Sequence, residues 1–264
     1  MDIIYQLPFP DEICSKILLY TSRSPHTDLQ EEILKRAVPI PIYQKLMERD
    51  GIEKVNGHIT KVCVWDDASQ NWLLDDTECK SLQFDIKILP KNLTIFNLDE
   101  TDVFGDIEVL QGLQHLTSFA LSDTGVKGDI QVLQGLQHLT EFFLSKTDVK
   151  GDIQVLQGLQ NLTWFDLPNT SVFGDIQVLQ GLQHLTHIFL SNTGVFGDIQ
   201  VLQGLQHLAQ FNLENTGVTG DIQVLQGLRH LAFFGLENTG VTGDEEAFHY
   251  YRKSHGLKKC SVYM

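Results

Sequence analysis

The sequence predicts an α/β fold: a solenoid of short turns with a parallel β-sheet along one face, a helical cap at its start and a helix-and-strand cap at its end. Three observations lead there. From Leu93 the 23-residue unit LTIFNLDETDVFGDIEVLQGLQH recurs, with starts at Leu116, Leu139, Leu162, Leu185, Leu208 and Leu231, and self-similarity at such a fixed period marks an array. Within each unit, counting Leu93 as position 1, apolar residues stand at positions 1, 4 and 6 and again at 11, 15, 18 and 21. Positions 4 and 6 alternate as a strand requires, while 15, 18 and 21 step by three as a 3₁₀ segment does. Finally, no unit of this size buries its own apolar edge, so neighbours must stack.

Each element then follows in chain order. Residues 1–56 carry helical signals, PDEICSKILLY after Pro10 and DLQEEILKRAV after Thr27, and are expected to be a helical cap. Residues 57–92 read as a degenerate first repeat, with ITKVCV as its strand and an insertion that carries Trp65 and Trp72 and is long enough to reach the mouth of the sheet. Residues 93–243 are the seven regular repeats, each a strand, a turn and a short return path. Stacking them lays the strands about 4.8 Å apart in a sheet about 30 Å long. It also piles Phe96, Phe119, Phe142, Phe165, Ile188, Phe211 and Phe234 of position 4 into one spine. Residues 244–264 close the array: DEEAFHYYRKSHG has acids in its first turn, bases in its last and Gly256 as a stop, and KKCSVYM supplies an edge strand guarded by Lys258 and Lys259.

The pattern LTxFxLxxT followed by VxGDIxVLxGLxx resembles the leucine-rich repeat, strongly over Leu93 to Gly243 and weakly over Ile59 to Val64. The resemblance implies a solenoid with its sheet on a concave face that commonly binds other proteins. This chain departs from it at position 9, where the family's Asn is replaced by Thr101, Thr124, Thr147, Thr170, Thr193, Thr216 and Thr239. A threonine hydroxyl there is expected to bond the backbone of the next turn. The GDI segment resembles the Gly-x-Ile element of plant-type repeats and points to a plant-like or algal source. A second resemblance lies at the start: LPFPDEICSKILLY is similar to the opening of an F-box, and F-boxes precede leucine-rich repeats in substrate receptors of ubiquitin ligases. That reading implies a Skp-type adaptor as partner. The later tryptophan of an F-box is missing before residue 50, and a plain helical cap explains Leu7, Ile13, Ile17 and Leu18 equally well.

Half of the repeat is nearly invariant, and the scaffold accounts for it. Gly105, Gly128, Gly151 and their equivalents at position 13 are expected to reverse the chain with a positive φ. The aspartates that follow, Asp106, Asp129, Asp152, Asp175, Asp198, Asp221 and Asp244, are expected to cap the short helical turns after them. A calcium column is the competing reading, but one carboxylate per turn supplies too few oxygens. His115, His138, His184, His207 and His230 stand once per turn and are read as solvated turn residues, and the glutamines at positions 16, 19 and 22 as a polar convex face that pairs along the stack.

The other half varies, and it lies on the strand. Positions 3 and 5 point away from the core by alternation. Position 3 holds Ile95, Ser118, Glu141, Trp164, His187, Gln210 and Phe233; position 5 holds Asn97, Ala120, Phe143, Asp166, Phe189, Asn212 and Gly235. Three aromatics thus fall on consecutive strands, and an exposed Trp flanked by Phe is typical of a binding hot spot. The candidate partner-binding residues are therefore Glu141, Phe143, Trp164, Asp166, His187, Phe189, Gln210, Asn212 and Phe233. Asp99, Glu100, Asp123, Glu214 and Glu237 at positions 7 and 8 favour a basic partner.

The formal charge of -15, from 19 Lys+Arg against 34 Asp+Glu, argues against nucleic acid and anionic membranes. No apolar run approaches the roughly 20 residues of a membrane span. The start lacks a signal-peptide pattern, so a cytoplasmic protein is expected, with Cys14, Cys63, Cys79 and Cys260 as reduced thiols and the glycosylation triplets at Asn92, Asn161 and Asn169 unused. A nucleophile elbow, a phosphate loop and a dinucleotide fingerprint are all missing. The sequence thus predicts a monomeric protein-interaction module, with the F-box receptor second and an enzyme third, and it calls for no cofactor or metal.

Overall fold

The computed structural model describes residues 33–49, 51–55, 58–66 and 71–264. The F-box-like segment lies outside them. Ile40–Glu48 forms helix α1 with Ile42, Tyr43 and Leu46 turned inward, and residues 33–37 before it are also helical. The helical cap gives way earlier than the sequence suggests. Strand β1 (Ile52–Val55) pairs antiparallel with β2 (His58–Cys63), which in turn joins the array in parallel, Val62 opposite Phe96. The insertion opens as a short antiparallel pair, β3 (Trp65–Asp66) with β4 (Asn71–Trp72). It continues into a short helix α2 (Asp76–Lys80), whose start is closed by reciprocal bonds between Asp75 and Glu78.

Each regular repeat contributes two strands rather than one. The first strands are β5 (Ile95–Asn97), β7 (Ser118–Ala120), β9 (Glu141–Phe143), β11 (Trp164–Asp166), β13 (His187–Phe189), β15 (Gln210–Asn212) and β17 (Phe233–Gly235). The second strands are β6 (Phe104–Asp106), β8 (Gly125–Asp129), β10 (Asp148–Asp152), β12 (Ser171–Asp175), β14 (Gly194–Asp198), β16 (Gly217–Asp221) and β18 (Gly240–Thr242). With β1, β2 and the C-terminal β19 (Ser261–Tyr263), the first set makes a ten-stranded sheet; the second makes a separate seven-stranded parallel sheet. A 3₁₀ turn such as Ile153–Gly158 then carries the chain back. The expected return path was thus half strand, a property hidden because each segment sets one buried valine, Val126 or its equivalents, between exposed neighbours such as Gly125 and Lys127.

The position-13 glycines from Gly105 to Gly220 lie inside these second strands, not at a reversal, and Gly243 directly follows the last of them. Their φ values run from +118° to +140°, a region that other residues rarely enter. A second cause is packing: a Cβ on Gly105, Gly128, Gly151, Gly174, Gly197 or Gly220 would strike the cap carboxylate of the preceding turn. Glycine and aspartate are thereby locked together from turn to turn. The aspartates cap as expected, with Asp106 Oδ1 accepting from Glu108 N at 2.9 Å and Asp152 Oδ1 from Gln154 N at 2.9 Å. Asp244 instead caps helix α3 (Glu245–Ser254), accepting from Ala247 N at 3.0 Å. Since these oxygens are already engaged by N–H groups, millimolar calcium is expected to leave the melting temperature unchanged, because a ligand stabilises only by binding the folded form. A rise that chelator reverses would show a metal column instead.

Two hydrogen-bond expectations need correction. The position-9 threonines do not reach the next turn: Thr101 Oγ1 donates to Leu98 O at 2.6 Å and Thr147 Oγ1 to Leu144 O at 2.6 Å, each within its own turn. At this position the nearest free carbonyl is that of residue i−3, and the hydroxyl takes it. The ladder between turns is built at position 2, where Thr117 Oγ1 donates to Thr94 O and Thr140 Oγ1 to Thr117 O, both at 2.9 Å. Likewise the glutamines pair within a turn, Gln131 Nε2 with Gln134 Oε1 at 2.8 Å, rather than along the stack.

The spine forms as expected. Phe96, Phe119, Phe142 and Phe165 are fully buried and stack with ring centroids 5.5, 5.6 and 5.8 Å apart. Beyond Ile188 the column resumes with Phe211 on Phe234 at 5.3 Å, and Phe248 of α3 closes it edge-on at 5.6 Å. Three phenylalanines face solvent instead: Phe104, Phe173 and Phe196 are 44%, 50% and 50% exposed. Phe104 opens β6. Each covers a glycine on the next strand, since a Cβ on Gly125, Gly194 or Gly217 would lie 3.3, 3.1 or 3.2 Å from the phenylalanine Cβ. An aromatic residue beside a strand glycine is a pairing that sheets use to make up for the missing side chain.

Candidate binding surface

The alternation of the first strands decides which side chains leave the core. In β9, β11, β13 and β15 the middle residue is buried and both flanking residues are half-buried. All nine candidate residues therefore stand on one side of the ten-stranded sheet: Glu141 and Phe143 on β9, Trp164 and Asp166 on β11, His187 and Phe189 on β13, Gln210 and Asn212 on β15, and Phe233 on β17. Register places Trp164 between Glu141 and His187, and Asp166 between Phe143 and Phe189.

The aromatics pack on one another. Trp164 stacks on His187 with centroids 4.3 Å apart and planes at 24°, and meets Phe143 edge-on at 5.1 Å and 71°. Phe189 completes the group, 6.5 Å from Trp164 and 6.3 Å from His187. Trp164 is consequently not the fully exposed anchor that alternation implies. Its indole N–H is buried and has no hydrogen-bond partner, an omission that costs about 1–3 kcal/mol.

The remaining candidates divide. Asn212 supports its own turn, with Oδ1 accepting from Glu214 N at 2.8 Å. Phe233 leans on Tyr263 of β19 at 5.6 Å, away from the cluster. Gln210 is in register between His187 and Phe233 and bridges the two groups. Sequence reasoning missed the contribution of Ser145, whose side chain hydrogen-bonds Asp166. It also missed the left-handed residues at position 8, Asn169, Asn192, Asn215 and Asn238 among them, with φ of 55° to 56°. The asparagines at 192, 215 and 238 link turn to turn through 2.8 Å side-chain bonds. The signal was present, because Asn tolerates that conformation best among non-glycine residues.

Burial sets the electrostatics of this face. It pushes the Asp166 carboxyl up to about 6, against the hydrogen bond from Ser145, and Asp99 up to about 7, against bonds from Ser122. Burial also lowers His187, so its ring is neutral at physiological pH. An unfolded aspartate ionises near about 4, so between about 4 and 6 the folded form binds more protons and stability falls as pH rises. Asp166→Asn is therefore expected to raise stability at pH 8 by roughly 1–2 kcal/mol after allowance for screening, and hardly at all at pH 4. Thermal melts at the two pH values check this; an equal change at both would mean that ionisation is not the cause.

On the opposite side, Gln177, Gln180, Asp198, Gln200, Val201, Gln203 and Gly204 line an open depression of about 480 Å³. The same residue types recur in most turns, which makes it a feature of the scaffold more than of one place on it. The histidines at position 23 are exposed, and His207 stacks on His230 at 6.2 Å. Among the described residues no helix is long and apolar enough to cross a membrane.

Two parallel sheets joined by 3₁₀ turns at a 23-residue period define a leucine-rich repeat solenoid, and comparison with solved structures agrees. The internalin inlF of Listeria monocytogenes superposes with a TM-score of 0.55 at 22% identity, covering 79% of this chain and 54% of the internalin. Internalin inlC2 of the same organism gives 0.50 at 22% identity, over 66% of this chain and 80% of its own. The Arabidopsis receptor kinase HAESA, solved with the peptide hormone IDA and the co-receptor SERK1, gives 0.54 at 23% identity over 61% of this chain and 29% of the receptor. This chain thus spans about half the length of inlF and less than a third of the receptor. No protein-family model and no curated protein matches the sequence.

Proposed function

We propose that the protein is a non-enzymatic interaction module that holds a protein or peptide partner on the concave face of its solenoid. The observation that carries this reading is the cluster of Phe143, Trp164, His187 and Phe189, four rings gathered on three consecutive strands at the positions where the repeat stops repeating. Rings on a sheet face that the scaffold does not require are what hot spots are made of. The fold is shared with a receptor solved in complex with a peptide hormone, which supports the same class of partner. The acidic rows beside the cluster favour a basic one, and a monomer working in the cytoplasm remains the simplest setting for it.

The double change Trp164→Ala with Phe189→Ala is expected to abolish recovery of the main partner, a loss of 2 kcal/mol or more per anchor, while the far-ultraviolet spectrum stays intact and the melting point falls by less than it does for a fully buried ring such as Phe165. Gln177→Ala with Gln200→Ala, in the opposite depression, should leave recovery alone. The reverse pattern would place the working surface on the 3₁₀ side.

A further inference from the structure

Within the seven regular repeats, the rows that face out from the ten-stranded sheet carry acids and no strong bases. Over the seven repeats, positions 3, 5 and 7 contain Asp99, Glu141, Asp166, Glu214 and Glu237 and no lysine or arginine. The four basic residues between Leu93 and Gly243 are Lys127, Lys146, Lys150 and Arg229, which occupy positions 8, 12 and 22. Asp166 lies at the centre of this acidic face. Register flanks it with Phe143 on one strand and Phe189 on the other, and Trp164 stands two residues before it on the same side of β11.

A carboxylate flanked by aromatic residues attracts a cation through its charge, and any ring face open to the cation adds the ring quadrupole. We infer that Asp166, with Phe143, Trp164 and Phe189, seats a single cationic side chain of the partner, an arginine. This rests on the reading of the concave face as the docking surface. A guanidinium suits the place better than an ammonium because it is flat, weakly hydrated, stacks on aromatic rings and meets a carboxylate through two hydrogen bonds. The ring of His187, kept neutral by burial, adds no opposing charge. A carboxylate whose ionisation burial disfavours gains most from an incoming positive partner. The unsatisfied indole N–H needs an acceptor, which a guanidinium does not offer, so that bond is no part of the seat.

The test uses the full chain and a small probe, N-acetyl-arginine amide, with N-acetyl-citrulline amide as its neutral isostere. The indole N–H resonance of Trp164, assigned by its loss in Trp164→Phe, is followed by NMR during titration. The arginine amide is expected to shift it saturably, with citrulline binding roughly tenfold weaker or less. Asp166→Asn should lose the saturable shift while keeping dispersed indole signals, and Gln177→Ala should keep it. If Asp166→Asn loses dispersion, salt reads the same point, because raising sodium chloride from about 50 to about 500 mM weakens a charge-driven shift and spares an apolar one. No saturable shift with the arginine amide, an equal response to citrulline, unchanged binding by Asp166→Asn or indifference to salt each overturns the seat. Partner recovery separates the two levels of the argument. Loss in the Trp164 and Phe189 double variant with full retention in Asp166→Asn keeps the docking face and removes the cation seat; retention in both removes both.

Discussion

Phe165→Ala is expected to destabilise the protein by about 3–5 kcal/mol in urea unfolding. The ring is fully buried, pressed on one side by Phe142 at 5.8 Å and in register with Ile188 on the other. In a solenoid each turn touches only its neighbours, so a void at this point weakens two interfaces at once and divides the array near its middle. Backbone hydrogen bonds hold the turns at their spacing, which keeps the walls of the void from closing, and that places the cost toward the upper end. Phe104→Ala is the matched control. Its side chain is nearly half exposed, with its Cβ against Gly125, so about 1 kcal/mol or less is expected. Comparable losses at the two positions would reverse the inward and outward assignments of both sheets.

Most of the scaffold was legible because an array repeats its evidence. Seven copies of Leu at positions 1 and 6 and of Phe or Ile at position 4 name the buried side of the first sheet without ambiguity, and the step of three from Ile107 to Leu110 to Leu113 names the 3₁₀ turn. The second sheet was not legible for the opposite reason. Its strands bury Val126 or Val149 between exposed neighbours, glycine, aspartate or lysine, and a glycine inside a strand imitates a turn in any reading by propensity. At the candidate surface, alternation told which side of the sheet Phe143, Trp164, Asp166, His187 and Phe189 occupy. It said nothing of rotamers, and rotamers laid the indole on His187 rather than in water. Register alone also gave no warning that Phe233 would turn to Tyr263, a residue 30 positions further along that reaches it only after α3 has reversed the chain.

Arg252→Ala is expected to cost about 3–5 kcal/mol and to loosen the C-terminal end selectively. From sequence, Arg252 was one of the bases placed in the last turn of a helix, a position that ordinarily contributes a few tenths of a kcal/mol. The structure gives it a different task. It is 1% exposed, and its guanidinium donates to Leu228 O and Leu231 O at 2.8 Å and to Lys258 O at 3.0 Å. Those carbonyls belong to the last 3₁₀ region of the array and to the segment that leads into β19, so one side chain ties helix, final repeat and edge strand together. Burial lowers the pKa of the group, yet a guanidinium remains charged throughout the working range. Its removal leaves several buried carbonyls without donors, each at about 1–3 kcal/mol. Because stability passes between neighbouring turns, the damage should be local first. Hydrogen exchange is expected to quicken at Phe233–Gly235 and Ser261–Tyr263 and to remain slow at Trp164–Asp166. Lys253→Ala, one residue along the same helix and exposed, should change neither exchange nor stability by more than about 0.5 kcal/mol. Equal effects at the two positions would mean that the helix is held by Phe248 against Phe234 alone and that the arginine closes nothing.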